Sequence, residues 1–467
     1  DVYKRQGDGL MTSSTKLIQA ASGVGGDTDF YPYTVDNSAR FEGNNYLYRT
    51  YGGNTKTFTL SFWVKRAPGN GYTPGYFQVI TGGLYYAPGG YYFLLWPGTG
   101  AGGRWIGQPD PAYNSIFNDP SDTGRDFSAW YHYVFAYDST QATSTDRMKV
   151  WVNGVQQSWT GTYPALNVNI PQFAGTMYIG RDSSTGQPVQ KAGGGNSYGY
   201  LADIAITDGQ YYSASDFGEF KNGVWVPKDL SGLNFGTKGF WLDFKASSDF
   251  GNDVSGNNLD FTAVGFQTHD QMIDTPTNNF ANLSIAAIRT GVTSPALSDG
   301  NLEVTTPDGS AAITYWAFPS TGKYYYEIYY KTQVLWYRNM YHGISFADVD
   351  AVAQAGSAQA VINFEDPSQN SAYNLWGTWT SGPGVSQGEF GAVLVDMDAN
   401  QVTLYRQGSA TVTSSFPTAY IGKPLRIQMG GGGNNVAVFN FGQDGTFGGS
   451  VTAQGNTDAN GIGDFYY

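Results

Sequence analysis

Thr57-Phe58-Thr59-Leu60-Ser61-Phe62-Trp63-Val64 places Phe58, Leu60, Phe62 and Val64 on one side of an extended chain and Thr57, Thr59, Ser61 and Trp63 on the other. Successive side chains of a strand point to opposite faces, so this alternation predicts a strand with one face in a core. The same period returns further along. Over 130–137, His132, Val134 and Ala136 alternate with Tyr131, Tyr133, Phe135 and Tyr137, and Met148, Val150 and Val152 form a third face that stops at Asn153-Gly154. Asn-Gly is a strong signal for a two-residue hairpin, because both turn positions require positive φ. Further strands are expected over 176–180 and 199–207. The one helical hint, 213–220, amounts to a turn or two capped by Ser213.

Composition points the same way. The chain has 467 residues, and only 13% of them are charged, about half the roughly 25% of an average soluble domain. With 63 Gly and 20 Pro, turns are frequent, which suits an all-β protein of many short strands. The length allows two or three domains. Thirty-eight acidic side chains against 25 basic give a formal charge of −13, which lacks the basic footprint of a nucleic-acid binder. No run approaches the roughly 18 apolar residues of a membrane span, so no membrane insertion is expected. The absence of Cys excludes disulfides and thiolate chemistry. The three His (His132, His269, His342) lie far apart and give no support to a zinc site. No apolar segment follows Lys4 and Arg5, so no secretory signal is expected in this sequence.

The period fades between Phe261 and Phe280, where Gln267-Thr268-His269-Asp270-Gln271 and Asp274-Thr275-Pro276-Thr277-Asn278-Asn279 are polar around a proline. Strand patterning resumes over 311–318, 323–330, 341–346, 391–396, 402–406, 425–429 and 436–441. The expected organisation is an N-terminal segment (1–29), a first β-sandwich (30–265), a linker (266–280) and a second β-sandwich (281–467). Residues 1–6 resemble the in-frame translation of a sequencing adaptor and are set apart from the fold.

Residues 41–209 resemble the laminin-G-like, concanavalin A-like jelly roll. The resemblance rests on 57–64, on Trp130-Tyr131-His132-Tyr133-Val134 and on Met148-Lys149-Val150-Trp151-Val152-Asn153-Gly154. It continues through Met177-Tyr178-Ile179-Gly180 and Gly199-Tyr200-Leu201-Ala202-Asp203-Ile204. Residues 281–450 look like a SPRY domain, on Gly322-Lys323-Tyr324-Tyr325-Tyr326-Glu327, His342-Gly343-Ile344-Ser345, 391–398 with 402–405, and Phe439-Asn440-Phe441-Gly442-Gln443. The fold class expected is therefore all-β, with two tandem β-sandwiches. The joining stretches Asp216-Phe217-Gly218-Glu219, 222–228, 239–244 and 274–280 are similar to a segment of tailed-bacteriophage structural proteins. That similarity implies a virion surface protein: a tail fibre, an appendage or a capsid decoration. It would act by non-covalent adhesion to a host cell-surface glycan or to other virion proteins, as a homo-oligomer. The alternatives are a purely structural subunit, a glycan depolymerase and a secreted bacterial adhesin.

Chemistry in the sequence is sparse. Glycoside hydrolysis needs two carboxyls about 5 to 9.5 Å apart. The six Glu (Glu42, Glu219, Glu303, Glu327, Glu365, Glu389) never fall within four positions of each other. Asp396 and Asp398 share a face by spacing but precede a turn. Gly195-Asn196-Ser197-Tyr198-Gly199 formally matches a nucleophile elbow, yet a Gly-rich loop precedes it and a strand follows, the reverse of what that motif needs. No enzyme is expected. No cofactor is required, and calcium is the one cation the laminin-G-like resemblance leaves open. Its candidate ligands are Asp138, Asp182 and Asp203, the first two equally explained as turn residues and the third as a strand residue. Loop-placed aromatics with polar neighbours are candidates for sugar stacking: Trp105 with Arg104, Tyr113, Trp336, and Trp376 with Trp379. Each also fits a core or subunit contact.

Overall fold

The structure is a computed structural model. It describes residues 30–67, 77–82, 91–97, 103–107, 115–118, 127–160, 163–169, 175–180, 198–284, 295–307, 310–314, 317–333, 341–346, 360–364, 373–375, 378–380, 385–418, 421–431, 433–458 and 461–467. One compact unit ends at Asn279 and a second begins at Phe280. Among the described residues all sheet pairings are antiparallel and the helical elements are single 3-10 turns.

The first unit is built on two eight-stranded sheets. The first runs Val155–Gln156, Met148–Val152, Tyr131–Asp138, Thr57–Ala67, Tyr198–Asp208, Ser38–Phe41 and Gln271–Met272, with Phe240–Leu242 branching from Tyr198–Asp208. The second runs Trp159–Thr160, Ser115–Asn118, Gly103–Gly107, Tyr91–Pro97, Phe77–Gly82, Gly175–Ile179, Tyr46–Tyr51 and Thr262–Val264. Between them lies the core that the alternation predicts. Phe58, Leu60, Phe62 and Val64 pack with Tyr133, Phe135, Val150 and Val152 and, from the facing sheet, with Leu47, Met177 and Ile179. Phe58 stacks on Tyr137 and Phe62 on Tyr133, across-strand ring pairs 5.6 and 5.7 Å apart. The Asn153-Gly154 turn forms with φ of 46° and 77°.

Two expectations change. The strand Thr57–Ala67 is buried on both faces, not one. Thr59, Ser61 and Trp63 lie under a second apolar layer in which Phe217, Leu230, Phe235 and Trp241 cover the outer face of the first sheet. The hinted helix over 213–220 is one 3-10 turn, Ala214–Asp216, followed at once by the strand Gly218–Lys221. Ser213 does cap it, donating both its N–H and its hydroxyl to Asp216 Oδ2 (2.8 and 2.9 Å).

The stretch expected to be a linker is strapped onto the first unit. Asp274 and Thr275 are fully buried. The Asp274 carboxylate takes Lys65 Nζ at 2.6 Å and Trp130 Nε1 at 2.8 Å, while its carbonyl accepts the Ser38 hydroxyl at 2.6 Å. Asp270 receives Arg40 at 3.4 Å and Asn45 at 3.3 Å. Lys65 and Arg40 stand on strands of the first sheet with no exposure to water, and a buried cation must be paired to be tolerated. The polar segment supplies Asp274 to Lys65 and Asp270 to Arg40, which Glu42 also meets at 3.1 Å.

The second unit also carries two antiparallel sheets, each of seven strands. One runs Leu283–Ser284, Ser310–Thr314, Leu425–Gly431, Tyr341–Phe346, Ala360–Phe364, Tyr373–Leu375 and Thr378–Thr380. The other runs Ala296–Ser298, Glu303–Thr306, Asn435–Asn440, Lys323–Thr332, Phe390–Asp396, Gln401–Arg406 and Ser409–Ser415. Ile344, Ile427, Tyr326, Ile328, Val393, Leu404 and Phe439 are all buried.

Candidate functional site

Tyr113, Trp336, Trp376 and Asp182 lie outside the described residues. Arg104 and Trp105 fall on the strand Gly103–Gly107 and Trp379 on Thr378–Thr380, so these three are strand positions and not loop positions.

The remaining two acids are far from equivalent. Asp138 faces Thr57 across the strand pair and closes a turn. Its carboxylate accepts the Thr140 hydroxyl and amide (2.6 and 3.0 Å), Gln141 Nε2 (2.6 Å) and the Thr57 hydroxyl (3.1 Å). Burial pushes its pKa up, but these bonds outweigh burial and hold it below the ordinary Asp range. Asp203 sits at a β-bulge, where the register with Thr57–Ala67 slips between Ala202 and Ala205, in the left-handed region at φ 45°. It is 3% exposed. One oxygen accepts Trp241 Nε1 at 2.9 Å and the other has no hydrogen-bond partner. Burial raises its pKa to about 7. Among the described residues no three His, Asp or Glu are grouped to hold a metal ion. Asp138, opposite Thr57, and Asp203, between Ala202 opposite Trp63 and Ala205 opposite Ser61, stand at different points along the strand Thr57–Ala67.

One buried polar pair and one buried carboxylate have the look of catalytic groups. Ser61 Oγ lies 2.8 Å from His132 Nε2, but Trp225 donates its indole N–H to Nδ1 at 3.0 Å. Nδ1 is therefore the lone-pair nitrogen, and Nε2 carries the proton and donates to Ser61. A general base needs the opposite tautomer. Burial, which pushes the His132 pKa down to about 3, and stacking between Trp63 and Trp225 make it a neutral core residue. In the second unit Glu327 is fully buried. It accepts the backbone amides of Tyr466 and Tyr467, both at 2.9 Å, the Tyr325 hydroxyl at 3.1 Å and Asn440 Nδ2 at 3.3 Å. That carboxylate ties down residues 466–467.

An open, polar surface is found elsewhere on the first unit. Leu47, Met177 and Ile179 point into the core, so their neighbours Tyr46, Tyr48 and Tyr178 stand on the outer face of the second sheet. The three rings are half-buried and lie 6.1 to 6.2 Å apart, with Tyr178 directly opposite Tyr48. The hydroxyls of Thr50 and Thr176, 3.1 Å apart, continue the row. On the other side Thr262 lies opposite Tyr48. Thr262 also lines a cleft of about 520 Å³ with Ser247, Ser248, Asp249, Gln267 and Thr268 around it and Phe250, Phe261 and Phe266 beneath. Phe250 and Phe266 are stacked at 4.5 Å.

Both walls of the cleft are fixed by local bonds. Asp249 N–H donates to Ala246 O at 3.0 Å, Gly251 N–H to Asp249 Oδ1 at 3.1 Å, and Gln267 N–H to Asp270 Oδ2 at 2.8 Å. Gly251 lets the two walls meet, since a Cβ there would lie 1.7 Å from Phe261 O. Tyr46-Leu47-Tyr48 is visible as an alternation in the sequence, and aromatics on the side opposite a core residue were the available signal. The cleft is not legible that way, because it joins loops and a strand on the polar segment that reads as a linker.

No curated protein matches the chain. Among solved structures it is similar to a native heptameric SAP-like pentraxin from Limulus polyphemus, at 12% identity over 39% of this chain and 80% of that one, with a TM-score of 0.31. It is also similar to the TRIM65 PSpry domain (15% identity, 34% and 92% coverage, TM-score 0.27) and to the SPRY domain of human HERC1 (11%, 34% and 93%, TM-score 0.26). Residues 41–210 match the family model described as the concanavalin A-like lectin/glucanases superfamily, so the first unit contains a concanavalin A-like domain.

Proposed function

We propose that the chain is an adhesion protein that binds a neutral glycan without chemical change, on the tyrosine row and adjoining cleft of its first unit. The carrying observation is the continuity at Thr262 between three aromatic rings on an outer sheet face and a hydroxyl-rimmed cleft. Sugar rings present apolar faces that stack on aromatic rings and hydroxyls that pair with side chains such as Ser, Thr and Gln. A few polar groups around a cleft of several hundred Å³ suit such a ligand. The concanavalin A-like match over 41–210 supports carbohydrate or adhesion-type binding. Non-covalent action is supported by the tautomer of His132 and by the engagement of Glu327 with main-chain amides.

The finer reading places the protein on a tailed-bacteriophage virion, as a homo-oligomeric fibre, appendage or decoration with other virion proteins as neighbours. Its support is the similarity of 216–219, 222–228, 239–244 and 274–280 to segments of such proteins. Two measurements test these readings. On a glycan array, the full chain is expected to bind, and Tyr48→Ala to lower affinity about tenfold, equivalent to roughly 1.4 kcal/mol. Unchanged binding by Tyr48→Ala removes the site. In a density gradient of virus particles from the source material, peptides of this chain are expected to track the major capsid protein. Peptides that stay with soluble protein remove the virion reading.

A further inference from the structure

Lys65 is the one fully buried lysine among the described residues. Its ammonium meets a carboxylate and a primary amide at once: Asp274 Oδ2 lies 2.6 Å from Nζ and Asn279 Oδ1 lies 2.8 Å from it. Both of those groups are held in turn. Trp130 Nε1 donates to Asp274 Oδ1 at 2.8 Å, and Asn279 Nδ2 donates to the Ser128 carbonyl at 2.9 Å. These bonds fix which end of the Asn279 amide faces Lys65, since a flipped amide would set its NH2 against an ammonium. Water is kept out. Lys65, Asp274 and Tyr200 have no exposure, Trp130 is buried, and the Tyr200 ring centre stands 5.9 Å from Nζ. The amide carbon of Asn279 is one C=O bond, about 1.2 Å, beyond the oxygen that Nζ touches. A nitrogen nucleophile, an acyl carbon and a proton carrier are thus brought within reach of one another, and such positioning replaces a bimolecular encounter.

The geometry points to an isopeptide bond between Lys65 and Asn279, formed by the folded chain on itself with Asp274 carrying the protons. The ion pair first passes a proton from Nζ to Asp274, leaving a neutral amine and a carboxylic acid. A dry site disfavours separated charges, so it favours this neutral pair more than water does. Nζ then attacks Asn279 Cγ and the Nζ–Cγ bond forms. Asp274 gives its proton to Nδ2 and takes up a second one from Nζ. The Cγ–Nδ2 bond breaks, ammonia departs, and the second proton makes it ammonium. Asp274 ends as the carboxylate it was, and the reaction is the transfer of an acyl group from one nitrogen to another. Asn279 is only half-buried, which gives the leaving group a way out. The bond would close the chain across 214 positions, at the last residue of the first unit. Load applied beyond Asn279 then reaches the strand Thr57–Ala67 through covalent bonds, and the segment 266–279 cannot be peeled away. No sugar contact enters the argument, so it stands apart from the glycan reading.

Mass spectrometry of the full chain, purified folded and then denatured, tests this. The intact mass is expected to fall short of the mass of the sequence by one ammonia. A tryptic digest is expected to yield the peptides carrying Lys65 and Asn279 as a single joined species. Asn279→Ala keeps the Lys65–Asp274 pair and should show its full mass; if it too lacks one ammonia, the loss lies elsewhere and the inference fails. In Asp274→Asn the two peptides should stay apart, and joined peptides there overturn the role given to Asp274. A natural chain of full mass, or a shortfall of one water with Lys65 joined to Asp274, overturns the Lys65–Asn279 bond.

Discussion

Asp203 shows how one buried acid can set a pH response. Its left-handed backbone and the register slip turn its carboxyl inward, against Trp241 and near Tyr33, Asp36, Asp243 and Lys245. Lys245 is already paired with Asp36 at 3.0 Å, and burial keeps the Tyr33 hydroxyl protonated. The folded protein therefore holds the Asp203 proton up to about pH 7, whereas the unfolded chain releases it near the ordinary value of roughly 3.9. Between those values the folded state binds more protons, so this contribution is full below the lower value and falls as pH rises towards the upper. Asp203→Asn keeps an oxygen for the indole and removes the titration. It should be more stable than the natural chain at pH 8, by on the order of 1–4 kcal/mol, and nearly equal to it at pH 4. Denaturant midpoints at the two pH values check this, and a variant no more stable at pH 8 refutes it. In the sequence Asp203 is one acid in an apolar strand. The partner that explains it, Trp241, is 38 positions away, and no periodicity announces a bulge.

At the scale of elements, alternation was a dependable guide to strands and a poor one to layers. Residues 57–64 and 131–137 lie on the strands their period predicts, and Phe58, Leu60, Phe62 and Val64 meet Tyr133, Phe135 and Tyr137 in the core between the sheets. What the period missed is that Thr59, Ser61 and His132 are buried too, because their polar groups find partners inside: Thr207, Gln210 and Tyr212 for Thr59, and Trp225 for His132. The segment 266–280 failed as a linker for a related reason. Polar residues around a proline look solvated in one dimension, but here Asp270 and Asp274 neutralise buried Arg40 and Lys65 more than 200 residues earlier. Asp274→Ala takes the carboxylate from Lys65, which keeps Asn279 Oδ1 at 2.8 Å, and removes the acceptor of the Trp130 indole. Breaking a buried pair from one side costs about 3–5 kcal/mol. Lys65→Met alone should be costly as well, while the pair Lys65→Met with Asp274→Leu should recover part of the loss. A urea-unfolding double-mutant cycle measures the coupling, and additive effects of the two positions would show that the pair does not act as a unit.

For the whole molecule the decisive boundary lies at Asn279, not near 265. Up to 265 the chain contains both large sheets except for Gln271–Met272, which pairs with Ser38–Phe41 at one edge. It also lacks Asp270, Asp274, Thr277 and Asn279, whose side chains satisfy Arg40, Lys65, the Val35 amide and the Ser128 carbonyl. A fragment of residues 30–279 should therefore unfold in one cooperative transition. A fragment of 30–265 should be destabilised severely, because buried Lys65 loses its carboxylate and Arg40 keeps Glu42 but loses Asp270, a broken buried pair costing several kcal/mol against a typical total of about 5–15 kcal/mol. Calorimetry on the two fragments separates the possibilities, and equal melting temperatures would place the boundary back at 265. The same pair of fragments bears on the glycan reading. Residues 266–268 form one wall of the cleft, so 30–279 should keep whatever glycan affinity the full chain has. If 30–279 is folded but no longer binds, recognition depends on the second unit, and the tyrosine row with its cleft is not the site.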